Sequence, residues 1–181
     1  MRKVLFLFGQ LNDNDVEWML TAGAKRFLPA GAALIEQGVP VDAVFILLEG
    51  RLGVWLQGRR GPEREIARLN AGEIVGEMSF VDARPPSASV RTLEDSTVFA
   101  LPKPALSAKL AADQGFAARF YRALAIYLST TVRERHRALG GSGTGEAEED
   151  DDNDELDPIV LDGVYLAGER FDRMVKRVMV T

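Results

Sequence analysis

Short apolar runs separated by turn-forming residues fill the segment from Phe27 to Leu101, and this alternation constrains the fold more than any other feature of the chain. Residues 43–48 are all apolar, whereas apolar residues alternate with others over Leu52–Leu56. The breaks fall at Pro29–Gly31, Gly38–Pro40, Glu49–Gly50, Gly58–Pro62, Asn70–Gly72, Arg84–Pro86 and Glu94–Asp95. Regular short strands between such turn signals predict a β-sandwich, a jelly roll or a small barrel.

Helical patterns precede this segment. Residues 4–8 are apolar, but no small-residue cleavage site follows them, so we expect a strand or helix that packs on the domain rather than a signal peptide. An Asn/Asp run then precedes a second pattern, in which Glu17 follows Asn14 at the spacing of a capping box. The apolar residues of this pattern are spaced three or four apart: Val16, Met19, Leu20, Ala24 and Phe27. They predict a capped amphipathic helix.

Two further helices are predicted after the strand segment. Pro102 and Pro104 can open the first, with Leu106 and Leu110 on one face, and Gly115 ends it. The second is predicted from Phe116 to about Leu139, with apolar residues at helical spacing. Its length of roughly 35 Å is more than a small barrel can cover. We therefore expect part of its apolar face to meet a second copy of the chain.

Composition divides the chain and excludes several classes of protein. The nine carboxylates of residues 146–157 leave 22 basic and 18 acidic residues elsewhere, a mild surplus of +4 that does not predict nucleic-acid binding. Cysteine is absent, which excludes disulfides and thiolate sites and suits a cytoplasmic protein. No apolar run is long enough to span a bilayer. The predicted units are a domain over 1–139, a flexible Gly-rich and acidic linker over 140–157, and an amphipathic helical tail over 158–181.

The stretch Gly72–Val90 holds the strongest indication of a binding site. Gly72 and Gly76 favour backbone conformations that other residues avoid, so they predict a tight bend that a ligand can approach. Glu77–Phe80 can begin a short helical turn, whose unpaired N–H groups and dipole favour an anion. Residues 87–91 alternate small polar and apolar side chains, as a strand lining a narrow site would. The stretch predicts a pocket for an anion that carries a polar ring.

The order of these elements resembles the cyclic nucleotide-binding domain of the CRP/FNR and kinase-regulatory-subunit superfamily. Residues 30–54 (AGAALIEQGVPVDAVFILLEGRLGV) contain glycines similar to that family's turn glycines, and residues 69–79 (LNAGEIVGEMS) resemble the start of its phosphate-binding cassette. The resemblance covers about Val16–Leu139. It implies a mainly β domain of the α+β class: a β-roll or jelly roll flanked by an N-terminal helix and a long C-terminal helix.

The resemblance also implies a ligand, cAMP or another cyclic nucleotide, and a set of residues that hold it. In the family the cassette glutamate holds the ribose 2′-hydroxyl, while the preceding glycine, the following N–H groups and an arginine hold the cyclic phosphate. Glu77 and Gly76 match the first two roles, and Thr130 and Thr131 lie where the family's long helix presents hydroxyls to the purine. The implied site consists of Gly76, Glu77, Met78, Ser79, Arg84, Ser87, Ala88, Thr130 and Thr131.

Two features depart from the family pattern. The family reads roughly Arg-Ser/Ala-Ala-x-Val where this chain has residues 86–90 (PSASV), so Pro86 stands in the place of the phosphate-binding arginine. Leaving a buried phosphate without its charged partner costs about 2 to 5 kcal/mol. The family's transcription regulators also carry a helix-turn-helix after the long helix, whereas residues 140–181 begin with linker and carboxylates. The sequence therefore predicts no DNA binding.

Each implied site residue also has a structural interpretation. Glu77 either binds ribose or stabilises a helix dipole. Arg84, two residues before Pro86, either swings into the pocket or remains a solvated loop charge. The serines either donate to phosphate or fill turns, and the two threonines either face the purine or lie on the helix surface.

Two functions follow from these observations. The first is a non-enzymatic regulatory module that senses a cyclic nucleotide, dimerises through helix 116–139 and has no catalytic residues, metal or other cofactor. The second is an interaction or scaffold module whose pocket binds no cyclic nucleotide and whose C-terminal tail docks on a protein partner. Pro86 and the long tail favour the second.

Overall fold

The computed structural model describes residues 4–58, 61–140 and 158–180, so the acidic run and most of the expected linker lie outside the described residues. The helices are α1 (Val4–Gln10), α2 (Asp13–Ala22), α3 (Glu77–Val81), α4 (Lys103–Ala112), α5 (Gln114–Gly140) and α6 (Pro158–Val180). The strands are β1 (Ala24–Leu28), β2 (Ala33–Ile35), β3 (Ala43–Glu49), β4 (Arg51–Leu56), β5 (Arg64–Asn70), β6 (Ile74–Val75), β7 (Ser89–Thr92) and β8 (Ser96–Pro102).

The strands form two four-stranded antiparallel sheets, in the orders β1-β8-β3-β6 and β2-β7-β4-β5. Strands that are consecutive in sequence are mostly divided between the sheets, as in a jelly roll. Helices flank the sheets on the side of β3 and β8. The predicted class, a mainly β member of the α+β group with a β-roll between helices, is confirmed.

Strand β3 explains the uninterrupted apolar run that the sequence shows at residues 43–48. Its alternate residues Phe45 and Leu47 pack between the two sheets, together with Leu52 and Val98. Val44 and Ile46 point the other way into a second core that the helices cover. A strand buried on both faces is apolar throughout, whereas a strand with one wet face alternates.

Helix α2 confirms a predicted helix but not its ends. The predicted capping box of Asn14 and Glu17 is wrong: Asn12 is the N-cap, its side chain accepts from the Asp15 N–H, and the Asp15 carboxylate accepts from the Asn12 N–H. The same carboxylate, 3% exposed, pairs with Arg119 of α5 at 2.7 Å. Asp15 is therefore the better partner because its buried carboxylate accepts hydrogen bonds from both a helix end and the guanidinium of Arg119.

The predicted extension of that helix to Phe27 is also wrong. The helix ends before Gly23, whose backbone is extended and lies so close to the Phe99 ring that a Cβ would be 2.2 Å from it. The next five residues pair with β8, and Phe27 is 63% exposed. Ladder hydrogen bonds with β8 outweigh the helical spacing of a few apolar side chains.

Helix α6 packs against the N-terminal helices. Phe171, Met174 and Val178 are buried in the same core as Phe8, whose ring centroid lies 6.0 Å from that of Phe171. Arg170 donates to the carbonyl of Phe8 at 3.0 Å and forms an ion pair. Two basic residues of α6 form ion pairs with carboxylates of α2: Arg170 pairs with Asp13 and Arg177 pairs with Glu17. The described part of the tail thus shares the core of the domain.

Phe171→Ala should lower the free energy of unfolding by about 3 to 5 kcal/mol, because it leaves a cavity between α6 and α1. Urea denaturation followed by circular dichroism measures the change. Met179→Ala on the same helix is the control, since Met179 is 38% exposed and its truncation should change stability by about 0.5 kcal/mol or less. Equal stabilities of the two variants would contradict the docking of α6 on the domain.

Candidate functional site

The cassette begins at a backbone bend between β6 and α3. Gly72 and Gly76 have φ angles of 91° and 84°, so both lie in the left-handed region that the sequence predicted for them. At Gly76 a Cβ would also lie 3.0 Å from the carbonyl oxygen of Ala43. Only glycine meets both conditions at this position. The first N–H groups of α3 have no acceptor within the helix, so they can donate hydrogen bonds to an anion at this bend.

The bend opens onto a cavity of about 450 Å³, within the usual range for small-molecule sites. The walls come from β4 to β7, from α3 and from α5, and most of the side chains are apolar. Seven of the nine predicted site residues line the cavity: Gly76, Glu77, Met78, Ser79, Ser87, Ala88 and Thr131. The structure therefore brings together residues that are up to 55 positions apart in the sequence.

Arg84 and Thr130 are the two predicted site residues that do not line the cavity. Arg84 is exposed, and its backbone N–H donates to the Asp82 carboxylate at 3.0 Å. The preceding residue, Ala83, has a φ of 55°, which is uncommon for a residue with a Cβ. In this structure Arg84 thus matches the solvated loop charge of the second interpretation.

Pro86 lines the cavity at the position where the family resemblance places an arginine. Its carbonyl accepts from the N–H of Gly38 at 2.8 Å, which fixes the loop against the strands. The charged residues that line the cavity are Arg68, Glu73 and Glu77. The lining therefore carries more negative than positive charge, which is unfavourable for a phosphate unless a cation lies just behind it.

Arg68 does not supply the missing cation. Its Nε donates to Glu65 Oε1 at 2.6 Å, and its backbone is paired with Gly53 of β4. The register is irregular next to it, so that Ile66 and Ala67 together oppose the single residue Val54. Such a bulge bends the strand locally, and residues 66–69 all line the cavity.

Tyr127 is the site residue whose role the sequence did not reveal. Its hydroxyl donates to the carbonyl of Ile74 at 2.8 Å and accepts from the Ile74 N–H at 3.1 Å, and both residues are buried. Thr131, one turn later, donates to the Tyr127 carbonyl at 3.0 Å. The helical spacing of α5 allows either Leu128 or Tyr127 on the apolar face, and a buried tyrosine needs a partner for its hydroxyl. That signal indicates a partner but does not identify Ile74.

Ser79 and Lys103 form a second contact behind the cassette. Lys103 Nζ donates to Ser79 Oγ at 2.8 Å, and Ser79 Oγ donates to the Gly76 carbonyl at 3.2 Å. Burial lowers the pKa of Lys103, while the charges of Asp42 and Asp82 oppose that shift. The contact joins the start of α4 to the buried side of α3.

The profile of the family described as "Cyclic nucleotide-binding domain" matches residues 25–113. The "Cyclic AMP receptor protein" of Thermus thermophilus is 33% identical over 95 residues, which cover 52% of this chain and 44% of that protein. This chain contains a cyclic nucleotide-binding domain. Its fold is that of a cyclic nucleotide-binding domain from Methylobacillus flagellatus, with a TM-score of 0.70, 23% identity, and coverage of 80% of this chain and 85% of that one.

The cyclic nucleotide-binding domain is of the type found in regulatory proteins. The N-terminal domain of a transcriptional regulator from Streptomyces coelicolor superimposes with a TM-score of 0.62 at 27% identity, covering 71% of this chain and 94% of that one. The matched segment spans less than half of the Thermus thermophilus relative.

In residues 4–58, 61–140 and 158–180, no group of three or more His, Cys, Asp or Glu side chains could hold a metal ion. Over the same residues, no helix combines the length and hydropathy that crossing a bilayer requires.

Tyr127→Phe should destabilise the cyclic nucleotide-binding domain by about 1 to 3 kcal/mol, because it leaves the buried N–H and carbonyl of Ile74 without their partner. Thermal or urea unfolding measures the loss. Tyr121→Phe is a matched control on the same helix, since Tyr121 is 49% exposed. If both substitutions had the same effect, the Tyr127 hydroxyl would not hold β6 to α5.

Proposed function

We propose that this chain is a regulatory module that binds a cyclic nucleotide in the cavity between the cassette and α5. The observation that carries the proposal is the convergence of Gly76, Glu77, Ser87 and Ala88 on one cavity that α5 also lines. A site shared by a ligand-binding loop and a long helix can convert binding into movement of that helix. No catalytic role is part of the proposal.

The chemistry of the walls suits the parts of a cyclic nucleotide. The Glu77 carboxylate would accept hydrogen bonds from a ribose hydroxyl. The first turn of α3 and the Ser87 hydroxyl would donate to the cyclic phosphate. The apolar side chains of Val54, Val75 and Val90 offer contact area for the purine. Thr131 reaches the same cavity from α5 and can accept a hydrogen bond from the base.

Pro86 determines the affinity that we expect. A bidentate arginine contributes more binding free energy to a bound phosphate than neutral donors do, because both of its hydrogen bonds are charge-assisted. Its absence reduces the binding free energy by about 2 to 5 kcal/mol. We therefore expect the natural protein to bind cAMP or cGMP in the micromolar range or weaker, and we expect an arginine at this position to strengthen binding.

Isothermal titration of cAMP and cGMP into four proteins, wild type and three variants, tests this assignment. Pro86→Arg should bind roughly 30-fold more tightly than wild type or better. Glu77→Gln should bind roughly 10- to 100-fold more weakly, because the ribose hydroxyl loses its charged acceptor. Pro85→Arg places the same charge one residue earlier and is the control for the gain. No heat from folded wild type and from folded Pro86→Arg would remove cyclic nucleotides from the proposal.

Helix α5 also carries a partly exposed apolar stripe. Tyr121, Ala125, Leu128 and Val132 follow one another at alternating intervals of four and three residues, and Tyr121 and Val132 are 49% and 50% exposed. This spacing is that of a coiled-coil seam. We propose that two chains pair through residues 116–139 along this stripe.

Val132→Glu should shift the protein from dimer toward monomer, because a carboxylate in an apolar seam loses its hydration. Analytical ultracentrifugation over a range of concentrations measures the dissociation constant. Arg133→Glu is the control, since Arg133 is exposed and lies outside the stripe. A wild-type protein that is monomeric at all concentrations would contradict the pairing.

A second function, an interaction module with an empty pocket, is favoured by Pro86 and by the position of Arg84 outside the cavity. Its partner would contact the exposed basic residues of α6, such as Arg173 and Lys176. We assign no DNA binding to α6, because Arg170 and Arg177 form ion pairs with α2. Pull-down with the full chain and with its Arg173→Glu and Lys176→Glu variants separates the two functions, since equal recovery of a partner counts against a docking role for the tail.

A further inference from the structure

Lys103 places a positive charge behind the cassette. It is the first residue of α4, a helix whose N-terminal dipole is unfavourable for a cation. The side chain is half-buried, and no carboxylate of the described residues lies within salt-bridge distance of its Nζ. Its hydrogen-bond partner is the neutral hydroxyl of Ser79, at 2.8 Å.

An ammonium group in this position lowers the stability of the empty protein. Burial weakens its hydration, as the lowered pKa of Lys103 shows, and the more distant charges of Asp42 and Asp82 offset only part of that cost. A partly buried cation without a close counter-ion calls for a compensating anion. The question is therefore which anion can approach it.

The Ser79 hydroxyl connects Lys103 to the cavity. Ser79 is 9% exposed, lines the cavity and belongs to the first turn of α3. Its oxygen accepts a hydrogen bond from Lys103 and its proton is directed to the carbonyl of Gly76. Because the Ser79 proton is donated to the Gly76 carbonyl, the charge of Lys103 would act on an anion in the cavity through space, where partial burial weakens screening. The ammonium thus lies one hydroxyl group behind the cavity wall.

The other basic side chains near the cavity are engaged elsewhere. Arg68 pairs with Glu65 at 2.6 Å, and Arg91 forms a bidentate pair with Glu63. Arg84 lies in the exposed loop outside the cavity. Among the residues that the structure describes, Lys103 is the cation next to the cassette helix that no carboxylate neutralises at close range.

We propose that Lys103 supplies the positive charge that the cassette lacks at position 86, acting through Ser79 on the phosphate of the bound cyclic nucleotide. The inference rests on the proposed function of the cavity. It makes Lys103 a positioning residue rather than a direct ligand, since the Ser79 side chain lies between its ammonium and the cavity. It also explains why a pocket lined by Glu73, Glu77 and Pro86 can accept an anion at all.

Titration of cAMP into four proteins tests the inference. Lys103→Met should weaken binding roughly tenfold relative to wild type, because a charge several ångströms from the phosphate is lost. Lys103→Arg keeps the charge and should retain most of the affinity. Lys176→Met, on an exposed position of α6, changes the net charge equally and should leave the affinity unchanged.

Thermal unfolding without ligand separates this role from a structural one. Lys103→Met should be as stable as wild type or more stable, because an uncompensated charge is removed. If Lys103 merely held α4 to α3, its substitution would instead lower the thermal stability of the protein. Ser79→Ala should lower the cAMP affinity to the same extent, and combining it with Lys103→Met should add little, since the two groups act as one unit.

The titrations distinguish failure of the role of Lys103 from failure of the proposed function. If folded wild type and Pro86→Arg both fail to bind cAMP and cGMP, the proposed function fails and the inference fails with it. If wild type binds cAMP and Lys103→Met and Ser79→Ala bind it equally well, the inference alone is overturned. A tenfold loss with rescue by Lys103→Arg and undiminished stability of Lys103→Met supports it.

Discussion

Two hydrogen bonds between the Tyr127 hydroxyl and the backbone of Ile74 join the long helix to the strand that enters the cassette. Ile74 lies two residues before Gly76, so the position of the bend, and with it the position of α3, is fixed relative to α5. Both residues are buried, and an unpaired backbone group is costly in a buried position. Few other arrangements of Tyr127 and Ile74 are therefore available. Any ligand that displaces the cassette must therefore move the helix or break these bonds.

This connection makes the fold suitable for regulation. Part of the cavity wall comes from two sheets that share one core, whereas α5 and α3 belong to the second core together with α1, α2 and α6. A ligand that contacts both parts can shift one core relative to the other, so the response would pass to the helices. Because Phe171 and Met174 of α6 pack in the same helical core as Phe120 and Leu124 of α5, the C-terminal helix also lies within reach of that response.

Local patterns of the sequence predicted the fold class and the backbone bend, and the family resemblance named seven of the residues that line the cavity. The alternation of short apolar runs with turns predicted the strands of the sheets, and Gly72 and Gly76 predicted the bend. Both signals act over a few residues of the sequence. Contacts between distant segments were not predictable in the same way. Tyr127 and Ile74 are 53 residues apart, and Lys103 and Ser79 are 24 apart, so no periodicity relates them. The start of α2 was missed because Asp15 also serves Arg119, a partner 104 residues away.

The substitution at position 86 has a physical consequence for the kind of sensor this domain can be. An arginine at position 86 would lie on the cassette loop itself, whereas Lys103 lies on α4 and reaches the cassette through its hydrogen bond to Ser79. A charge that lies outside the loop would attract the anion and would gain little from closing of the loop. The energy that drives closure would then come from Glu77 and from the apolar side chains that line the cavity. The affinity of such a sensor would vary with the nucleoside more strongly than that of a sensor with an arginine on the phosphate. The reason is that all cyclic nucleotides share the phosphate but differ in the nucleoside.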